Sequence, residues 1–417
     1  MFVHFLLLAL RAAAGSPDSC QNEPERSFPK GFAALRLEGL RATRPEVVRS
    51  EIKSRPCTEF PVVDEDIRRL KALGIFASVE TRMAQDTLVF SFRELPTFLP
   101  VPNGRLSDEE GLSLGAGLKS PNLLGRAIAG EFLFLVGNSL EYQASITASR
   151  FGSLALGWEA MAGRTERWDD GRGYQELSHA GFVRLWGPTD RFLRLLGEAK
   201  VVDVRSDRDG ICLSGRQDLI PSLRGGTVFD GRDDPSNTAS GIYQELTLEK
   251  SGNPFGGPVD AWQVLSDTRL WVPLGARWGV HLANLFENRE GRMDRWQTYV
   301  VGGANSARGL PGAWAVAPSE DLGTMEVRWT LMPVKPVLVV GQNLYVGLQA
   351  VGGVDVASAW GEAPLEAQYG LFTGLDAIVP FVERLRTNLT WSPAQGAGFA
   401  FSFGMFEKTQ AQRFRVR

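Results

Sequence analysis

A chain of 417 residues can hold one large domain or two to three ordinary ones, and 43% hydrophobic with 22% charged residues is the balance of a folded protein. A net charge of −3 excludes the broad basic field that nucleic-acid binding uses. The 46 Gly, 24 Phe and 11 Trp, beside only 7 Met, favour strands over helices.

The chain opens MFVHFLLLALRAAAG. An apolar run from Phe2 to Leu10, followed by Ala12-x-Ala14, has the pattern of a secretory signal peptide over residues 1–14. The run is too short for a membrane-spanning helix, which needs about 20 apolar residues. It departs from the pattern in one respect, since no Lys or Arg precedes it. A polar linker, residues 15–30, follows. The three cysteines, Cys20, Cys57 and Cys212, form no C-x-x-C pair, so no metal site is expected. In an exported chain Cys20 and Cys57 could join as a disulfide; three unpaired thiols is the other reading.

Residues 31–98 read as a small α+β unit. AALRLEGL (33–40) is a short strand. TRPEVVRSEIKS (43–54) is a helix with Thr43 as N-cap and Pro45 in its first turn. VDEDIRRLKALG (63–74) is a second helix, with Asp64 as cap, Gly74 as stop and Ile67, Leu70 and Leu73 on one face. FASVETR and TLVFSFRE alternate as two strands that turn near Gln85 and Asp86. The order is β-α-α-β-β, a small sheet covered on one face by two helices. With RRLKALGIFASVE and the closing FRELP, this order resembles a POTRA domain, the periplasmic module of the BamA/TamA superfamily of outer-membrane assembly factors.

Beyond Pro102 no long amphipathic helix is visible, and period-two alternation recurs from 108 to 406. YQASITA sets Tyr142, Ala144 and Ile146 against Gln143, Ser145 and Thr147. MEVRWTL sets Met325, Val327 and Trp329 against Glu326, Arg328 and Thr330. LRTNLTW sets Leu385, Leu389 and Trp391 against Arg386, Asn388 and Thr390. Two architectures accommodate such strands. A soluble sandwich hides the apolar face against a second sheet; a transmembrane barrel turns it to lipid and the polar face to the lumen. The length suits an antiparallel β-barrel of about 16 strands, roughly 19 residues for each strand and its connection.

Five ordered stretches resemble the barrel of the same superfamily. They are SPNLLGR (120–126), FDGRDDPSNTASG (229–241), GGANSARGL (302–310), GGVDVASAW (352–360) and GLDAIVPFVERLRTNLTW (374–391). The second corresponds to a mid-barrel signature, here Asp230, Arg232, Asp233, Pro235 and Gly241. The third corresponds to the tip of the sixth extracellular loop. A guanidinium inside a lumen needs a fixed acidic partner, because a desolvated charge left alone is costly. Strand parity turns both Asp355 and Glu326 inward. The resemblance implies that the loop folds into the lumen and that Arg308 contacts Asp355; Glu326 is an addition from parity alone. Gly303 and Gly309 allow the loop to turn tightly. Ala307, Leu310 and Ala357 depart from the family's commoner residues. The 11 residues 407–417, with Arg413, Arg415 and Arg417, form a basic tail.

No G-x-S-x-G, H-E-x-x-H or Walker loop is present, and the histidines are His4, His179 and His281 alone, so no enzyme and no cofactor is expected. The resemblance implies an assembly or translocation factor in the outer membrane of a Gram-negative-type bacterium. Its partners would be outer-membrane lipid, unfolded client barrel or exported proteins and periplasmic assembly factors. A client strand would add to a sheet edge of the periplasmic module. The barrel would open sideways at a seam between a first strand carrying Leu114 and Leu118 and a last strand carrying Phe401 and Phe403. The rival is a secretion pore for one exported partner, as in two-partner secretion; those pores usually carry two POTRA units and a plug helix, and one unit is visible here. An outer-membrane enzyme or a passive porin fits less well.

Overall fold

The computed structural model describes residues 32–54, 60–107, 111–148, 154–169, 173–188, 192–233, 238–304, 306–339, 342–361, 366–379 and 383–404. The expected signal segment, linker, basic tail, Cys20, Cys57 and Pro235 lie outside them. The chain divides into two compact units between Leu95 and Pro96.

The first unit runs β1 (Ala34–Glu38), α1 (Pro45–Glu51), α2 (Phe60–Ala72), β2 (Phe76–Ala84) and β3 (Thr87–Glu94), the β-α-α-β-β order expected. Its sheet has the order β1-β3-β2, with β1 parallel and β2 antiparallel to β3. Val48, Val63, Leu70, Ile75, Val79, Leu88 and Phe90 are buried in it. Both expected caps are corrected. Arg44, not Thr43, is the N-cap of α1, with no side-chain cap bond, and Pro45 enters the first turn where its missing N–H costs nothing. Asp64 lies inside α2, which starts at Phe60. The segments that enter and leave α1 are secured from a distance instead. The Glu94 carboxylate accepts the backbone N–H groups of Arg41, Ala42 and Thr43 at 3.2, 2.8 and 2.7 Å. Asp66 accepts those of Lys53 and Ser54 at 2.9 and 2.8 Å. Gly74 ends α2 with φ of +66°, as its lack of a side chain allows.

The second unit is a closed antiparallel barrel of sixteen strands. In chain order they are β4 (Leu99–Ser107), β5 (Gly111–Leu123), β6 (Ile128–Gly137), β7 (Ser139–Ala148), β8 (Gly157–Asp169), β9 (Tyr174–Gly187), β10 (Leu193–Ser206), β11 (Gln217–Asp230), β12 (Gly241–Gly252), β13 (Asp260–Pro273), β14 (Trp278–Arg292), β17 (Ser319–Val339), β18 (Gln342–Trp360), β19 (Glu366–Val379), β20 (Glu383–Ser392) and β21 (Gly396–Gly404). Between β14 and β17 the connection 293–318 carries a one-turn 3-10 helix (Arg295–Gln297) and a hairpin of β15 (Tyr299–Val301) with β16 (Ala315–Ala317).

The two faces of this sheet decide between the architectures left open by alternation. Leu114, Phe132, Val183, Leu246, Met325 and Leu389 are exposed on the outside. Glu198, Glu249, Asp267, Glu326, Asp355 and Asp376 are buried on the inside. A sandwich core is apolar; this interior is ionic. Guanidinium groups answer the carboxylates: Arg184 meets Glu198 through Nε at 2.7 Å, Arg269 meets Asp267 at 2.8 Å and Arg386 meets Asp376 at 3.0 Å. Such pairing offsets the cost of taking charge out of water.

Candidate functional site

The hairpin β15–β16 carries its tip, residues 302–314, into the buried interior. Gly302 and Gly303 turn with φ of +111° and +84°, and Gly303 N–H closes the turn on the Leu310 carbonyl at 3.1 Å. The turn aims Arg308, 5% exposed, at the barrel wall. Its Nε and Nη2 donate to Asp355 Oδ2 and Oδ1 at 2.7 and 2.9 Å, a two-pronged fork, and its backbone N–H adds a third bond to Oδ2 at 2.9 Å. Nη1 donates to Glu326 Oε2 at 2.8 Å. The guanidinium carbon lies over Phe372, 3.3 Å from the ring centroid. Planar fork, ring and backbone together fix the orientation of the arginine in a way that a lysine could not.

The wall is shaped for this contact. Asp355 also accepts from Thr324 Oγ1 at 2.8 Å, and Arg328 Nε holds the other oxygen of Glu326 at 2.5 Å. Arg328 continues to His281 Nδ1 at 3.1 Å, and His281 stacks on Trp271 with centroids 4.8 Å apart. Gly309 (φ +90°) packs against the backbone of Trp391 and Gly370, and Ser392 Oγ donates to the Gly309 carbonyl at 2.6 Å. Gly370 on β19 is indispensable to the approach: a Cβ there would stand 2.0 Å from the Arg308 carbonyl oxygen. Ala307, Leu310 and Ala357, the three departures from the family pattern, share one buried cluster with Val301, Ala317 and Leu322.

The seam differs from expectation. Leu114 and Leu118 lie on β5, which is flanked by β4 and β6. The strand that meets β21 is β4, paired at Leu106 with Phe403, the one position shown among the described residues. The barrel thus begins at Leu99, ahead of residue 108. The sequence LPVPNGRLS hides this strand because Pro100 and Pro102 break the strand pattern. Their placement has a structural logic. A proline donates no ladder bond, so the continuous pairing of β4 to β5 must run through Leu99, Val101 and Asn103. Pro100 and Pro102 keep their places opposite Leu118 and Ala116 of β5, and both lie outside the Leu106–Phe403 position at which β4 meets β21.

Residues 122–316 match the Omp85 superfamily domain. That segment carries an Omp85 superfamily domain. The sequence resemblance to the BamA/TamA superfamily is borne out by this match and by the solved structures that share its fold. The crystal structure of BamA from Haemophilus ducreyi lacking POTRA domains 1–3 is 14% identical, with a TM-score of 0.67 over 91% of this chain and 84% of that one. CdiB from Escherichia coli is 12% identical, with a TM-score of 0.61 over 90% and 75%. CdiB from Acinetobacter baumannii is 12% identical, with a TM-score of 0.58 over 90% and 73%. At such identities the likeness is one of fold. No curated protein sequence matches the chain.

Within the Omp85 segment the mid-barrel residues form a separate group, in the β11–β12 connection. Asp230 receives Arg232 Nε and Nη2 at 2.8 and 2.9 Å, and Arg232 lies over Tyr243 at 4.9 Å. Asp233 accepts the N–H groups of Ala239 and Ser240, both at 3.1 Å. At Gly241 (φ +126°) a Cβ would stand 2.4 Å from the Gly231 carbonyl. The connection is a self-braced turn, and it reaches the edge of the Arg308 network where Arg232 lies 6.0 Å from the Trp271 ring centroid. Gly370, Phe372, Thr324 and Ser392 are the contacts that sequence reasoning missed. Of these only Gly370 carried a signal, as a glycine interrupting the alternation of β19.

Proposed function

We propose that this protein is an outer-membrane assembly or translocation factor, and that its first unit is a single POTRA-like module in the periplasm. The observation that carries the reading is the barrel with an ionic inside, an apolar outside and, among the described residues, a seam paired at one position. Apolar residues facing outward on successive strands suit lipid, and closure satisfies every interior ladder. The seam is the weak line. Among the described residues β4 is paired with β21 at one position, Leu106 with Phe403, whereas neighbouring strands such as β4 and β5 are paired along their length. In the first unit β1 and β2 pair only with β3 among the described residues, and either outer edge can add a client strand through main-chain hydrogen bonds.

On this reading the Arg308 loop is a lock. Bound to Asp355 and Glu326, it braces the wall formed by β17, β18 and β19, and leaves the seam as the place that opens. Client strands pair at the seam and pass into lipid; no covalent chemistry or nucleotide takes part. Periplasmic assembly factors and unfolded exported proteins are the partners it requires.

The second reading, a secretion pore for one exported protein, is favoured by the fold shared with CdiB. Loss of the gene followed by quantitative outer-membrane and culture-fluid proteomics separates the two. An assembly factor lowers several other barrel proteins. A secretion pore removes one exported protein from the medium and leaves the barrels unchanged. If neither fraction changes, both readings fail.

A further inference from the structure

Away from the Arg308 contact, three groups able to bind metal meet where two connections cross. Cys212 lies in the β10–β11 connection, Asp218 is the second residue of β11, and Asp294 precedes the 3-10 helix of connection 293–318. The thiol sulfur and one oxygen from each carboxylate lie within 4.8 Å of one another. All three are buried, at 3%, 2% and 1% exposure. The arrangement is rigid. Ser214 N–H donates to both oxygens of Asp218 at 3.2 and 3.3 Å, Leu213 N–H donates to Asp294 Oδ1 at 2.9 Å, and Gly215 N–H closes the turn on the Cys212 carbonyl at 3.0 Å.

Two features set this cluster apart from the other buried carboxylates. The second oxygen of Asp294, Oδ2, is buried without a hydrogen-bond partner. And no Arg or Lys reaches Asp218 or Asp294 among the described contacts, whereas Asp267, Asp355, Asp376, Glu249 and Glu326 each have a guanidinium. Arg216, the nearest basic residue in the turn, is held by Asp209 at 2.7 Å. Two adjacent buried carboxylates do not both stay ionised without relief, which either a shared proton or a cation between them supplies. Ile211, Ile220 and Trp296 close the surroundings with apolar surface.

We propose that Cys212, Asp218 and Asp294 form a structural zinc site that staples the β10–β11 connection to the root of the connection bearing Arg308. One thiolate and two carboxylates match zinc, which takes sulfur at about 2.3 Å and oxygen at about 2.0–2.2 Å; calcium and magnesium prefer oxygen alone. Tetrahedral ligands at those lengths stand about 3.5 Å apart, within reach of small side-chain rotations from the span observed. Metal binding displaces the thiol proton, leaving Cys212 as thiolate and the proton in solvent. The absence of a C-x-x-C pair argued against zinc along the chain; here the ligands assemble across it.

The test uses the full chain, folded in detergent, with Cys20 and Cys57 changed to Ser. Cobalt(II) titration is expected to give a thiolate-to-cobalt charge-transfer band that saturates at one equivalent and is displaced by zinc. Cys212→Ser should abolish the band, and Asp294→Asn should weaken binding by about tenfold or more, with heat-modifiable gel mobility confirming a folded barrel. X-ray absorption at the zinc edge of the unsubstituted chain needs no folded variant, and should show one sulfur in an otherwise oxygen or nitrogen shell. No saturable cobalt band in the folded chain, a band that survives Cys212→Ser, or a sulfur-free zinc shell would each overturn the site.

Discussion

The Arg308 contact is the strongest quantitative handle. Asp355 receives four hydrogen bonds: three from Arg308, counting its backbone N–H, and one from Thr324. Arg308→Ala removes two of these and the countercharge, and leaves Glu326 to Arg328 alone. Breaking a buried pair from one side costs about 3–5 kcal/mol, because the remaining charge is stranded. The loss here should sit near the lower end, about 3 kcal/mol, since Asp355 keeps Thr324 and the backbone N–H of residue 308. Asp355→Ala strands Arg308 only partly, because Glu326 and Phe372 remain, and a similar loss is expected. The double variant removes both charges, so its loss should be close to either single loss. The coupling is then about 2–3 kcal/mol, well above the roughly 0.5 kcal/mol within which independent sites add. Urea unfolding of the barrel in lipid vesicles, read by heat-modifiable mobility, measures all four corners of the cycle. Strictly additive losses would mean that Arg308 and Asp355 do not act as a pair, and the lock would have to be abandoned.

Other expectations follow from the same contacts. Gly370→Val places side-chain atoms where the Arg308 carbonyl lies, and overpacking of this kind costs about 1–3 kcal/mol; limited proteolysis should cut the 302–314 tip in this variant and spare it in the parent. Cysteines at Leu106 and Phe403 should cross-link, because these residues face each other at the seam, whereas Leu114 with Phe403 should not; the opposite result would put the seam at β5. The locked 106–403 form should lose client delivery until reductant is added. In the first unit, partial burial pushes the Glu94 carboxyl up, but the Thr43 hydroxyl and the N–H groups of Ala42, Thr43 and Arg41 outweigh it and hold the group below its usual value. A lowered folded-state value means that this stabilisation is present above the unfolded-state pKa, about 4.3, and is lost as pH falls through the folded one. Glu94→Gln should therefore cost about 1 kcal/mol at neutral pH and flatten the acid limb of the thermal-unfolding curve; an unchanged limb would refute the assignment.

Much of the fold was legible because period-two alternation is a property of the strand itself. YQASITA, MEVRWTL and LRTNLTW all lie in strands, with Tyr142, Met325 and Leu389 outside and Gln143, Glu326 and Asn388 inside. Parity alone also placed Asp355 and Glu326 in the interior. What parity cannot convey is which interior residues stand level with each other across the lumen. Thr324 faces Asp355 through the register of β17 on β18, and Phe372 and Gly370 come from β19. Those contacts depend on shear around the barrel, and no local pattern encodes it. The Cys212 cluster was hidden for a related reason, since Asp294 lies far along the chain from Cys212 and Asp218 and meets them only when two connections cross.

The missed first strand has a sharper cause. A strand is recognised by residues that pack and pair on both sides, but β4 needs to pair fully on one side only. Pro100 and Pro102 share parity and keep their places opposite Leu118 and Ala116, so the strand holds its register on β5 without their two donors. The residues that make this segment look unlike a strand are those that suit it to a weak edge. Replacing both by valine would add two N–H donors to β4. If the seam is the line of opening, the double change P100V/P102V should raise the unfolding midpoint and slow client delivery together. A more stable barrel with undiminished delivery would show that the prolines guard the edge against stray pairing and do not tune its opening.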